Sequence, residues 1–467
     1  MVHVTLVTGQ AGTGKTTWLM HRANEYAQRM ITAEHQRMLA ITRMHGARRR
    51  VEMKLQELCH NIPYAVATID GFALSIVNRW RTASGYKKPI IAVPYNVEFL
   101  GTLFGVEAGF ACILSEAARL LESPTVGKLI GTTYPLIMVD EFQDCYGPLL
   151  EFVKGLSRAS NLLVAADDFQ LLDSTVCGCP AIDWVEQLQA KGEATIEELT
   201  FFHRTSSKLI LNTARCLREN IHSADPKIPI FCCPNHGVAA WKIIERLVLT
   251  SRADRWAGAC ALICPSHDPF LQKVIVSCDY QLKKKNHSPI RWTEELTGEE
   301  ERVRILTTLG ITEESCGSNT EWCAPSGELD RLGMCIVDRA KRFCKLRGLK
   351  TIPIGILEKH ADKIVHDLRA YSAQSPKRAV TTVHGAKNRE FDNVIILWTY
   401  KLPPDSDQQR RWLYNAVTRS KENCMILVWG DENRVKCDPV LSLLGLPQPV
   451  FRGKRRARHK TPVIEKG

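Results

Sequence analysis

The stretch VHVTLVTGQAGTGKTTWLM, residues 2–20, decides the fold class. Its first residues alternate and are rich in β-branched side chains, the pattern of a strand; glycines then break it, and a helix-period segment runs from Thr16 toward Arg29. Strand, glycine loop and helix in that order make a cradle for phosphate. In GQAGTGKTT, Gly9, Gly12 and Gly14 let the backbone N–H groups of a loop that includes Gln10 and Thr13 curl around an anion. Lys15 adds a point charge toward the β- and γ-phosphates of ATP, the Thr16 hydroxyl is a ligand for magnesium (Mg2+), and Thr17 closes the motif.

Working outward, strand-like runs recur at Met38 to Thr42, Ala65 to Thr68, Leu136 to Asp140 and Leu162 to Ala166, with amphipathic segments between them. Alternation of this kind predicts an α/β fold with a parallel sheet covered by helices on both faces. A second series follows near Cys260 to Ile263, Ala379 to Thr382, Val394 to Trp398 and Met425 to Val428. Two α/β lobes are therefore expected, over residues 1–200 and 201–445. Two stretches interrupt the rhythm. The first, about 84–133, becomes mostly helical after the turn-rich SGYKKP; the second, about 286–376, is polar with helical patches, and both read as insertions. Residues 446–467, with the run FRGKRRARHK, are expected to form a basic tail, too polar to build a core, that is either a solvated tail or a phosphate-binding arm.

Composition narrows the class. A chain of 467 residues with 45% hydrophobic and 24% charged content can build two or three cored domains. Sixty-two basic against 50 acidic residues give a net charge of +12, which favours polyanionic partners. No run approaches the ~18 apolar residues of a membrane span and no export signal is visible, so a cytoplasmic protein is expected. The 17 cysteines lack zinc-ligand spacing and read as bystander thiols of a reducing compartment.

LIMVDEFQD, residues 136–144, supplies what the glycine loop lacks. Leu136 to Val139 reads as a buried strand, so Asp140 and Glu141 emerge at its carboxyl end, where parallel sheets place ligands. Asp140 is then the magnesium-side acid and Glu141 the base that activates water.

With DEFQD on the page, the sequence resembles the UvrD/Rep group of superfamily-one DNA helicases, and further blocks follow in that family's order from Gly9 to about Val428. The resemblance implies two RecA-like motor lobes and ATP-driven movement on DNA with 3′-to-5′ polarity. AITRMHGARRRVEMKL and ATIDGFALSIVNRW are similar to its single-strand contact blocks, which implies strand contacts at Thr42, Thr68 and Phe72. VAADDFQ resembles the block whose glutamine, here Gln170, links γ-phosphate state to DNA. FFHRTSS looks like the start of the second lobe, with Arg204 on the γ-phosphate. TTVHGAKNREFDNVIIL and LYNAVTRSKENCMILV resemble the last blocks, which implies His384 near DNA, Glu390 near the ribose and Arg419 as a second arginine finger. Were both arginines to come from a second lobe, the γ-phosphate would be completed only on lobe closure.

The chain also departs from that pattern. Met1 precedes the first strand by a few positions only, so the family's upstream glutamine block that reads adenine is expected to be missing. His203 stands where relatives stack a tyrosine on the base. LLDSTVCGC, after Gln170, lacks the usual tyrosine and tryptophan that stack on DNA, and Asn388 and Arg389 replace a glycine and an apolar residue. Two readings follow. One is an ATP-dependent helicase or translocase on single-stranded or tailed DNA; the other is a DNA-sensing nucleotide switch beside a partner nuclease, because small UvrD-like proteins of this size resemble the helicase subunit of Gabija-type antiphage systems.

Overall fold

The structure is a computed structural model that describes residues 2–448 apart from 44, 60, 94–97, 102–104, 252, 295–297, 313–319, 326, 328, 347 and 372–375. The basic run 451–460 lies outside the described residues. Two compact units are present: Met1–Ser206 with Thr293–Glu390, and Ser207–Trp292 with Phe391–Gly467.

The first unit is built on a six-stranded sheet whose strands, in spatial order, are Tyr64–Thr68, Met38–Thr42, Leu136–Val139, Asn161–Ala166, Val4–Gly9 and Ala194–Leu199. Every neighbouring pair runs parallel. Side chains alternate across a strand, and here both faces are apolar: Ile137 and Val139 enter one core, Leu136 and Met138 the other. That is why these strands read as continuous apolar runs. The topology sets three strand ends side by side, so the glycine loop after Val4–Gly9, Asp167 after Asn161–Ala166 and Asp140 after Leu136–Val139 share one edge of the sheet.

The segment expected to be mostly helical at 84–133 does contain the helices Phe110–Leu121 and Pro124–Thr133. It also carries a small sheet of Ile90–Val93, Leu100–Gly101 and Val106–Gly109, strands too short to show a period in the sequence. The segment expected as the second insertion folds into the helices Gly298–Thr308, Arg331–Leu346 and Ile354–Tyr371, with a core of their own around Ile336 and Leu357. It packs within the first unit, where the Ile354–Tyr371 helix lies against the His45–Leu58 helix and Lys359 pairs with the buried Glu107.

In the second unit, Ile230–Cys233, Ser420–Trp429, Phe391–Trp398 and Cys260–Cys264 are neighbours in that order and all parallel. Ile395, Ile396, Met425 and Ile426 are fully buried, again the signature of a sheet covered on both faces. Among the described residues, the cysteines are free thiols and no helix is long and apolar enough to cross a membrane.

Candidate nucleotide and strand-contact site

The glycine loop turns where only glycine turns cheaply. Gly12 and Gly14 both adopt φ 86°, and a Cβ on Gly12 would lie 2.8 Å from the Cβ of Arg204. The close approach is secured by backbone bonds, since His203 and Arg204 both donate their amides to the Gly12 carbonyl, at 2.8 and 3.2 Å. From the first turn of the Lys15–Met30 helix, the Lys15 ammonium donates to the carbonyls of Gly9 (2.7 Å) and Gln10 (2.9 Å). Burial lowers the lysine's pKa, while the charges of Asp167, Glu141 and Asp140 oppose the change.

The two distant motifs meet. The Thr16 hydroxyl donates to Asp140 Oδ2 at 3.0 Å, across 124 residues of sequence. Burial, reinforced by the neighbouring Glu141 charge, raises the Asp140 carboxyl from 3.8 to about 6, against the opposing Thr16 and Glu141 N–H bonds and Lys15. Glu141 sits at φ 57°, a left-handed conformation that a non-glycine residue rarely adopts and that recurs at functional sites. Its carboxylate accepts from Gln143 Nε2 at 2.6 Å, and Gln143 Oε1 in turn accepts from the Asp167 amide at 3.1 Å. A hydroxyl and a carboxylate oxygen fit magnesium, which takes hard oxygen ligands and commonly relies on substrate phosphates to complete its shell. Among the described residues no group of three or more His, Cys, Asp or Glu gathers to hold a metal by protein alone.

Asp167, to which the sequence reading gave no role, is a hub. It is buried, accepts from the Phe169 amide (3.2 Å) and from Gln170 Nε2 (2.7 Å), and lies 3.7 Å from the Lys15 ammonium. Gln170 is thereby two contacts from Lys15. Its signal in the sequence was its place at the end of an apolar strand beside the glycine-loop strand, the same logic that picked out Asp140.

Arg204 and Glu390, assigned separately to γ-phosphate and ribose, are brought together as an ion pair with Nε to Oε1 at 2.8 Å. Arg204 belongs to the first unit. Arg419 lies in the second, buried at the start of the Ser420–Trp429 strand, with Nε donating to the Asn415 carbonyl at 3.1 Å. His203 lines the glycine loop 3.2 Å from a Cβ built on Gly14, and the exposed ring of Phe201 stands 6.1 Å from the His203 ring.

The expected strand contacts divide. Thr42 ends its strand buried, followed by the exposed Arg43. Thr68 caps the Ile69–Arg79 helix by accepting from the Gly71 amide at 3.1 Å. Phe72 is a correction: its ring is 7% exposed and packs edge-on to Tyr134 (5.6 Å) and against Phe152 (6.3 Å), so it is core and presents no face to a base. His384 is exposed; the surrounding protein and Lys387 lower its pKa, with Asp173 opposing.

The stacking residues absent after Gln170 have a neighbour the sequence reading overlooked. Tyr146, just past DEFQD, donates its hydroxyl to Asp173, and the Arg43 guanidinium lies 5.4 Å over its ring. Asn388 answers another departure. It adopts φ 64°, where asparagine is enriched, so the backbone keeps the left-handed turn that a glycine would supply.

Residues 1–175 match the family model described as an AAA domain, and residues 378–427 match that of the UvrD-like helicase C-terminal domain. Two solved structures are similar, the Arterivirus nonstructural protein 10 (helicase) in complex with DNA and the same protein as described without it. Each is 12% identical over 95% of this chain, with TM-scores of 0.33 and 0.32. The chain spans 63% and 62% of the length of those two. No curated protein matches.

Proposed function

We propose that the chain is a UvrD/Rep-like superfamily-one helicase that hydrolyses ATP to move 3′ to 5′ along single-stranded DNA and to unwind duplex, a reading supported by its two helicase-related family-model matches. One observation carries the proposal: Thr16 of the glycine loop and Asp140 of DEFQD converge at 3.0 Å, with Lys15 and Asp167 alongside.

In this reading the loop from Gly9 to Thr17 holds the phosphates through its amides and Lys15. Thr16 and Asp140 would hold magnesium, which would supply charge neutralisation for the transferred phosphate. Glu141, fixed by Gln143, orients the attacking water and accepts its proton. Gln170 registers the γ-phosphate from beside Asp167, and Arg204 and Arg419 serve as its arginine ligands. His203 faces the base and Glu390 the ribose. Thr42, Thr68 and His384 contact the strand, and the Tyr146 ring with Arg43 offers an unpaired base a stacking surface of the kind lost after Gln170.

A second reading, a DNA-sensing switch that controls a partner nuclease in an antiphage complex, draws on the turn after Gln170. There Asp173 bonds the Thr175 amide and hydroxyl instead of an aromatic pair facing DNA. The motor reading is tested by two variants. Lys15→Ala should lose both ATP binding and turnover, whereas Glu141→Gln should bind ATP and fail to hydrolyse it. Near-native hydrolysis by either variant would remove this site from the chemistry.

A further inference from the structure

Lys387 occupies a position that no contact with phosphate or strand requires. An ammonium group has three N–H donors, and all three are used: Lys387 Nζ lies 2.7 and 2.6 Å from the two carboxylate oxygens of Asp144 and 3.1 Å from the carbonyl of Gln170. Both side chains are 7% exposed. Burial pushes the Asp144 carboxyl up in pKa, and the Lys387 charge opposes it. The pair joins residues 243 positions apart.

What flanks the pair gives it a meaning. On one side, the Gln170 side chain donates to Asp167, which faces Lys15 in the glycine loop. On the other, the Asp144 carbonyl accepts from Arg43 Nη1 at 3.1 Å, and the Lys387 amide donates to the His384 carbonyl at 3.2 Å. Arg43 and His384 are both exposed. An unbroken series of contacts therefore runs from the phosphate lysine to two surface groups, and Lys387 is its junction. Pulling such a pair apart would leave an uncompensated buried charge, so the DEFQD turn, the Gln170 turn and the His384 turn are bound to shift together.

We infer that Lys387 and Asp144 are a positioning pair that couples the state of the nucleotide to the grip on the strand, acting through Gln170 on one side and through Arg43 and His384 on the other. The inference rests on the reading of the chain as a DNA-dependent ATPase. Coupling is a ratio of affinities and is reciprocal, so it can be measured apart from fold stability.

The probe is a fluorescein-labelled oligo-dT, titrated in the presence of ADP or of a non-hydrolysable ATP analogue with magnesium. In the native protein the two dissociation constants should differ by roughly 5- to 150-fold, the usual span of coupled sites. The double variant Asp144→Asn/Lys387→Met removes both charges and so strands neither. It should bind oligo-dT and nucleotide while the ratio falls to within about twofold of one. If that variant does not fold, Lys387→Arg serves in its place, because a planar guanidinium cannot direct donors at the same three acceptors, and its ratio should also fall. A native ratio in a folded variant of either kind overturns the inference, since a merely structural pair would lower the melting temperature and leave coupling intact. A native protein that neither hydrolyses ATP nor shows any ratio sinks the underlying reading instead.

Discussion

Replacing Asp140 by asparagine should stabilise the metal-free protein while abolishing hydrolysis. The carboxyl is raised from 3.8 to about 6, chiefly by burial and then by Glu141. A proton held more tightly in the folded state than in the unfolded one means that the ionised carboxylate opposes folding. At about 1.4 kcal/mol per tenfold change in affinity, the cost above pH 6 is about 3 kcal/mol; it shrinks as pH falls through 6 and is gone below 3.8. Asparagine can still accept one of the bonds that Thr16 and the Glu141 amide now donate, so up to that amount is recovered. With an unfolding entropy of roughly 2.1 cal/mol/K per residue, a unit of about 300 residues moves by roughly 1.5 °C per kcal/mol, so the variant should melt up to about 5 °C above the native protein. The assay is thermal unfolding in EDTA at pH 7.5 and again near pH 4. The gap should close at the lower pH, and magnesium with ATP should narrow it at the higher one by stabilising the native protein alone. An Asp140→Asn protein that melts at or below the native temperature at pH 7.5 in EDTA would refute the reasoning.

Other substitutions separate chemistry from packing. Arg419→Ala should slow DNA-stimulated hydrolysis by about 10³-fold, the scale of an arginine finger, and a native rate would remove it from the γ-phosphate. Phe72→Ala should cost about 3–5 kcal/mol of stability by urea unfolding, as a core aromatic does, and an unchanged midpoint with weakened DNA binding would restore the strand-contact role. Tyr146→Ala should weaken oligo-dT binding by about 1–3 kcal/mol, roughly 5- to 150-fold, whereas Tyr146→Phe should keep most of the affinity; equal losses would point to the Asp173 bond rather than the ring.

The convergence of the two motifs at the candidate nucleotide site is legible because each motif is local. Gly9 to Thr17 and Asp140 with Glu141 each announce themselves by an apolar strand that ends in special residues, and the sheet then sets those ends side by side. What the sequence withheld depends on partners far along the chain. Asp167 gains importance only from Lys15 and Gln170, and Lys387 only from Asp144. The burial of Phe72 was readable in principle, because Ile69, Phe72, Ala73, Ile76 and Val77 form a helical apolar stripe, all of it buried. The block resemblance pointed the other way, and the stripe won. That the segment 293–390 packs with the first unit had no local signal, since it rests on contacts such as Lys359 with Glu107.

The measurement that bears most directly on the account is ATP hydrolysis with and without single-stranded DNA, followed by strand displacement on duplexes with 3′ or 5′ tails. Hydrolysis should rise on addition of single-stranded DNA, and only the duplex with a 3′ tail should be opened. A rate unchanged by DNA together with no displacement on either tail would contradict the motor. Hydrolysis that rises with DNA but opens neither duplex would favour the switch.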